Sequence, residues 1–201
     1  MVAAYKQVPF ERVVLLNDDE KTCHDLIGKK MVPILEHDGE ITAESLDICH
    51  KLDQIGNAAR VITPQTPLSK AVTEHLATAG SAMWPLNFAR ITRIGLPEFA
   101  TESAREYFRV NKEKMIGESF DAALARTEAD KVVVEAMLAS LPALSLPSHR
   151  DNLLSWDDVM IFPMLRCLTL IRDLKLPTIV SDYLEQVSQL TGVDLYFDRA
   201  I

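Results

Sequence analysis

The stretch Val32-Pro33-Ile34-Leu35, followed by Asp38-Gly39 and then by Glu44-Ser45-Leu46-Asp47-Ile48, decides how this chain is read. Val32 to Leu35 begins a strand, and Asp38-Gly39 is the dipeptide that a two-residue hairpin turn demands, with Ile41-Thr42 as the returning strand. From Glu44 to Ile55 the residues Leu46, Ile48, Cys49, Leu52 and Ile55 recur at helical spacing, and Gly56 is a suitable stop. Proline at the start of a strand removes a ladder donor, so Pro33 marks an edge or a special bend. Taken alone it reads as an ordinary trans proline, because only ~5% of X-Pro bonds are cis. Glu44 and Ser45 open the helix. Free N–H groups and a partial positive charge there suit a carboxylate, while the Glu44 side chain suits an ammonium, so together they match an amino-acid zwitterion. The plainer alternative makes Glu44 a first-turn acid and Ser45 a helix cap.

Upstream, Phe10 to Leu16 with Val13, Val14, Leu15 and Leu16 reads as a strand ending at Asn17-Asp18-Asp19, and Thr22 to Leu26 as a short helix stopped by Gly28. Between Gly56 and Leu68 neither period holds and prolines intervene. The division predicted is residues 1–56, a linker at 57–67, and residues 68–201. Downstream the pattern is helical throughout, over Leu68–Met83, Thr101–Met115, Glu118–Leu141, Ser155–Ile171 and Pro177–Leu190. Ser155-Trp156-Asp157-Asp158 is the S-x-x-D form of a capping box, with Leu154 and Val159 placed for a hydrophobic staple. Val159 to Leu165 is apolar on nearly every face, which predicts a central helix, kinked at Pro163. Met83, Trp84, Leu86 and Phe88 read as core, with a cleft lining as the lesser alternative.

The composition of the 201 residues is that of a globular protein, with 48% apolar and 25% charged residues. A net charge of −8 disfavours a sequence-independent grip on nucleic acid or on an anionic membrane. Every apolar run is interrupted before it reaches ~18 residues, and no signal peptide is visible. Three widely spaced cysteines, Cys23, Cys49 and Cys167, indicate a reducing compartment, so the protein is expected to be cytoplasmic. The five histidines are scattered without ligand spacing, which predicts no metal site, and no glycine-rich phosphate loop occurs.

In order and spacing, the run Val14-Leu15-Leu16-Asn17-Asp18-Asp19, the Val32-Pro33-Ile34-Leu35 strand and the Glu44-Ser45-Leu46-Asp47-Ile48 helix start resemble the glutaredoxin 2 family. So do Ala104-Arg105-Glu106-Tyr107-Phe108 and the stretch from Phe162 to Leu170, so the similarity spans essentially the whole chain. The resemblance implies a thioredoxin-like front domain, α/β in class, followed by an all-α domain of the glutathione-transferase kind. It implies glutathione as co-substrate in thiol–disulfide exchange, with glutathionylated or disulfide-bearing proteins as partners. It also implies that Val32 pairs through its backbone with the cysteinyl part of glutathione beside a cis Pro33, and that Glu44 and Ser45 hold the γ-glutamyl ammonium and carboxylate.

The departure from the family concerns its first strand and C-P-Y-C motif, which have no counterpart in these residues. The chemistry needs a thiolate of lowered pKa at a helix N-terminus with a resolving thiol nearby. Cys49 and Cys167 read as core residues. Cys23, near a helix start with His24, Lys29 and Lys30 close in sequence, is the one cysteine whose surroundings would favour a thiolate, but on a different helix. No catalytic residue is therefore assigned, and the sequence predicts a protein inactive in disulfide exchange. A non-redox binding protein and a transferase-like enzyme are the alternatives. A further expectation is that Met1 is an internal methionine preceded by roughly 15 to 20 residues carrying C-x-x-C. Without the middle strand, those at Phe10–Leu16 and Val32 would expose two inner sheet edges.

Overall fold

The computed structural model describes all 201 residues. After a single turn of helix, α1 (Val2–Tyr5), the chain runs without regular structure to α2 (Glu20–Ile27), then through β1 (Ile34–His37) and β2 (Glu40–Ala43) into α3 (Ser45–Ile55). Asp19 caps α2 by accepting from the Thr22 N–H at 2.9 Å, and Gly28 ends it in the left-handed region at φ 73°. The hairpin turns on Asp38 and Gly39, both at positive φ (51° and 78°), which is the backbone a two-residue turn of this hand requires. Its antiparallel register pairs Ile34 with Ala43 and His37 with Glu40.

The strand expected at Phe10–Leu16 does not form. The sheet has two strands only, and this segment enters no ladder. Phe10 is 62% and Val13 76% exposed. The physical reason is that a β-favouring composition describes a side chain's fit to a half-buried pleated surface, and no neighbouring strand supplies that surface here.

Helices make up the remainder: α4 (Pro67–Ala77), α5 (Gly80–Ile91), α6 (Glu102–Ile116), α7 (Phe120–Ala125), α8 (Thr127–Ala139), α9 (Trp156–Leu168) and α10 (Thr178–Thr191). Two helices expected to be continuous are broken. Leu68–Met83 divides at Thr78-Ala79, and the second piece runs on through Pro85. A proline inside a helix frees the carbonyl four residues before it. That carbonyl, of Ser81, accepts from Arg126 Nη2 at 3.0 Å. Glu118–Leu141 likewise divides at Arg126, which ends α7 and precedes α8. Arg126 bonds Ser81, Glu118 and Asp130 from this corner, so a tertiary ion network favours the break over local propensity.

One core runs through the molecule. Leu76 of α4, Met83 and Leu86 of α5, Leu138 of α8, Ile161, Phe162, Leu165 and Leu168 of α9, and Tyr183 and Leu184 of α10 are almost wholly enclosed. Val2 and Tyr5 of α1 and Ile48 and Leu52 of α3 belong to the same cluster. Trp84, only half-buried, stacks on Phe88 at 5.7 Å. On α9 the exposed position is Pro163, so the helix buries one broad face rather than its whole circumference.

The capping box of α9 forms in full. Asp158 N–H donates to Ser155 Oγ at 3.1 Å, and Ser155 N–H donates to Asp158 Oδ2 at 2.8 Å. Leu154 and Val159 both pack into the core. Replacing Ser155 by alanine should cost about 1 kcal/mol, read as a shift of the urea midpoint at unchanged slope. Superimposable melts would mean the cap carries no stability.

Asp157, one position before Asp158, ties down the start of α4. It accepts from the Thr66 N–H, the Thr66 hydroxyl at 2.7 Å and the Ser69 N–H at 3.1 Å. Thr63 adds a parallel bridge, its N–H to the Leu154 carbonyl at 2.8 Å and its carbonyl to the Trp156 N–H at 3.0 Å.

Candidate functional site

The hairpin register builds the site. The ladder ends at the Ile34–Ala43 pair, which Val32-Pro33 precede on one strand and Glu44-Ser45 follow on the other. All four expected residues thus meet at one end of the hairpin, where the chain enters α3, and all four are exposed. The Val32-Pro33 peptide bond is cis. Neither the N–H nor the carbonyl of Val32 has a partner in the chain, so this short extended segment offers one donor and one acceptor to whatever lies beside it.

α3 is left uncapped. Glu44 is the residue before its first turn, at φ 69°, and its side chain makes no capping bond. A positive φ is uncommon for a residue with a Cβ, and the Glu44 side chain is 58% exposed. Ser45 is therefore the first helical residue and not the cap, contrary to the plainer reading of the pair. The N–H groups of Ser45, Leu46 and Asp47 have no backbone acceptor, since the first intrahelical bond runs from Ile48 N–H to Glu44 carbonyl at 3.0 Å. Side chains cap α2, α4, α6, α7 and α9, whereas α3, like α1, α5, α8 and α10, starts without a side-chain cap. Three free donors and the positive end of the helix dipole make it an anion-accepting end, with the Glu44 carboxylate beside it as a cation acceptor.

The helix is held firmly behind this end. Gly56 closes α3 against α1, where a Cβ would lie 2.6 Å from Lys6 Cβ, so only glycine fits. Lys6, 3% exposed, bonds Asp53 at 2.8 Å and the Arg60 carbonyl at 3.0 Å. Alongside α3, a groove of about 470 Å³ is lined by Leu46, His50, Ile62, Pro64, Trp156 and Met160, with the His50 and Trp156 rings 4.2 Å apart.

Sequence reasoning missed the partner of Glu44. Lys29 Nζ lies 3.0 Å from Glu44 Oε1, an ion pair closed across fifteen residues. The hairpin register carried the signal: with Ile34 paired to Ala43, the residues before β1 and those after β2 lie at the same end of the hairpin.

The cysteines are all free and widely separated in role. Cys23 is fully enclosed, at 0% exposure, so the lysines and histidine near it in sequence do not make it an accessible thiol. Its place on the inner face of α2 explains this, since His24 and Asp25 beside it are exposed; α6 is tied to the start of this region by Tyr107 and Ser103, which donate to Glu20 and Asp18. Burial pushes the thiols of Cys49 and Cys167 up from their ordinary pKa, away from thiolate.

Comparison with known proteins agrees with this architecture. The family model for the glutaredoxin 2 C-terminal domain matches residues 71–200, and that for the glutathione S-transferase N-terminal domain matches residues 1–60. Glutaredoxin 2 of Escherichia coli strain K12 is 31% identical over 202 aligned positions, covering 100% of this chain and 93% of that protein, and the protein of strain O157:H7 gives the same figures. A solved structure of glutaredoxin 2 from Salmonella typhimurium in complex with glutathione superimposes with a TM-score of 0.87 at 33% identity, covering 100% of this chain and 91% of that one. An all-helical domain matching along most of its length, a thioredoxin-like front part and full-length identity to named relatives together establish that this chain belongs to the glutaredoxin 2 family.

Proposed function

We propose that this chain binds glutathione as the co-substrate of glutaredoxin 2-type thiol–disulfide exchange. Val32 would take the cysteinyl part between its free N–H and carbonyl, beside Pro33. The open N-terminus of α3 at Ser45 would take the γ-glutamyl carboxylate, and Glu44 the γ-glutamyl ammonium. The observation that carries this reading is the uncapped start of α3 with the exposed Glu44 carboxylate next to it, an arrangement that matches both charges of a zwitterion. The Salmonella relative solved with glutathione supports the choice of ligand. In this reading residues 1–56 supply the site, 57–67 are the linker, and 68–201 form the helical domain.

The exchange itself is assigned to no thiol within the 201 residues. They contain no C-x-x-C, Cys23 is enclosed, and burial disfavours the thiolate of the other two. These observations support a second reading, in which this stretch of chain holds glutathione, or the glutathione portion of a modified protein, without turnover. The free cysteines and the absence of any helix long and apolar enough to cross a membrane fit a cytoplasmic setting.

Replacing Glu44 by glutamine tests the site. A charge-assisted contact to the ammonium becomes a neutral one, so glutathione affinity should fall by about 1 to 2 kcal/mol, roughly five- to thirty-fold, while thermal stability stays the same. Titration calorimetry giving equal affinity in the two proteins would remove Glu44 from the site.

A further inference from the structure

We propose that Lys29 is a resident counter-ion of Glu44 that holds the ammonium position of the site and must yield it when a ligand with a free α-amino group binds. The inference rests on the reading of Glu44 as the ammonium acceptor and adds to it a residue that sets affinity and selectivity.

The geometry comes from the end of α2. Gly28 reverses the chain at φ 73°, and the next two residues are lysines that diverge. Lys30 Nζ donates back to the Asp19 carbonyl at 3.0 Å, fixing its side chain against the start of α2. Lys29 extends the other way and meets Glu44 Oε1 at 3.0 Å. Glu44 makes no capping bond and has no other side-chain partner, so Lys29 alone neutralises it.

A lysine ammonium and the α-ammonium of a γ-glutamyl group are the same kind of cation with the same three donors. A carboxylate has lone pairs enough for both, so sterics would admit the second. Charge opposes it, because an ammonium approaching a neutral pair gains far less than one approaching a free carboxylate. The two lie on the surface, with side chains 57% and 58% exposed, so the pair is weak and displaceable. Exposed pairs of this kind shift an equilibrium by roughly two- to five-fold. Lys29 therefore acts as a modest brake on ligands that carry the α-ammonium, and on those alone.

The test compares glutathione with N-acetylglutathione, in which the ammonium is replaced by a neutral amide, by calorimetric titration of the full chain and of Lys29→Gln and Lys29→Arg. Lys29→Gln should bind glutathione roughly two- to five-fold more tightly and N-acetylglutathione no more tightly, whereas Lys29→Arg, which keeps the pair, should match the parent protein. The gain should vanish when Glu44→Gln is already present, since there is no longer a shared carboxylate. Weaker glutathione binding by Lys29→Gln would overturn the proposal, showing a carboxylate anchor in place of a competitor. An equal change for both ligands would also overturn it, showing only a loss of local field. The two levels separate cleanly. If Glu44→Gln alone leaves glutathione binding intact, the Glu44 reading has failed. If Glu44→Gln weakens binding but Lys29→Gln confers no selective gain, only the role of Lys29 has failed.

Discussion

Replacing Asp158 by alanine should destabilise the folded chain by about 3 to 5 kcal/mol, well beyond the effect of removing its capping partner Ser155. Asp158 is 1% exposed, and its carboxylate accepts three bonds: from the Ser155 N–H at 2.8 Å, from Arg150 Nη2 at 2.6 Å and from the Tyr183 hydroxyl at 3.0 Å. Alanine deletes all three together. It leaves a largely enclosed guanidinium and a fully buried hydroxyl with no acceptor, and an uncompensated buried charge is among the costliest defects a core can carry. Ser155→Ala, by contrast, removes one bond to a backbone N–H near a helix end. Urea unfolding should place Asp158→Ala far below the parent midpoint. A double variant, Asp158→Leu with Arg150→Met, should recover part of the loss, because both charges leave together. A loss below about 1 kcal/mol in the single variant would show that the triad is solvated and carries little.

The second large effect is catalytic. The 201-residue chain should reduce glutathione mixed disulfides no faster than the uncatalysed background, and Cys23→Ser should change nothing. Disulfide exchange proceeds by thiolate attack on sulfur in line, which requires a thiol that can be reached and ionised. Cys23 fails on access, since it has no exposed surface, and Cys49 and Cys167 fail on ionisation, since burial raises both. A glutathione-dependent reductase assay on this chain measures the point directly. Turnover that is abolished by Cys23→Ser would mean α2 opens to present the thiol, and would make Cys23 the nucleophile. Retained glutathione binding without turnover would support a chain that carries the cradle but not the nucleophile.

The features legible in the residues were those whose cause is local. Asp38-Gly39 specifies its turn because few other dipeptides hold two successive positive φ angles. Ser155 and Asp158 specify their box because donor and acceptor lie three residues apart on one turn. α3 and its stop at Gly56 were visible in the spacing of Leu46, Ile48 and Leu52. Once Val32, Pro33, Glu44 and Ser45 were singled out, the hairpin put both pairs at one end of its ladder, since its register is set by a two-residue turn.

What only the tertiary structure decided depended on partners far away in sequence. Phe10–Leu16 has the composition of a strand, but a strand exists only where another offers its N–H and carbonyl groups, and none does here. The breaks at Thr78-Ala79 and Arg126 follow no strong local signal, because what stabilises the corner at Arg126 is its contact with Ser81, 45 residues before it. Cys23 could be weighed as a thiolate candidate from its neighbours along the chain, but in the folded chain it has no exposed surface. The same applies to the charge at the site. Glu44 by itself is a free carboxylate waiting for a cation, and it is the reversal at Gly28, together with the hairpin, that brings Lys29 to it. Short-range backbone geometry is written in adjacent residues, whereas pairing, enclosure and charge compensation are properties of surfaces that exist only after the chain has closed on itself.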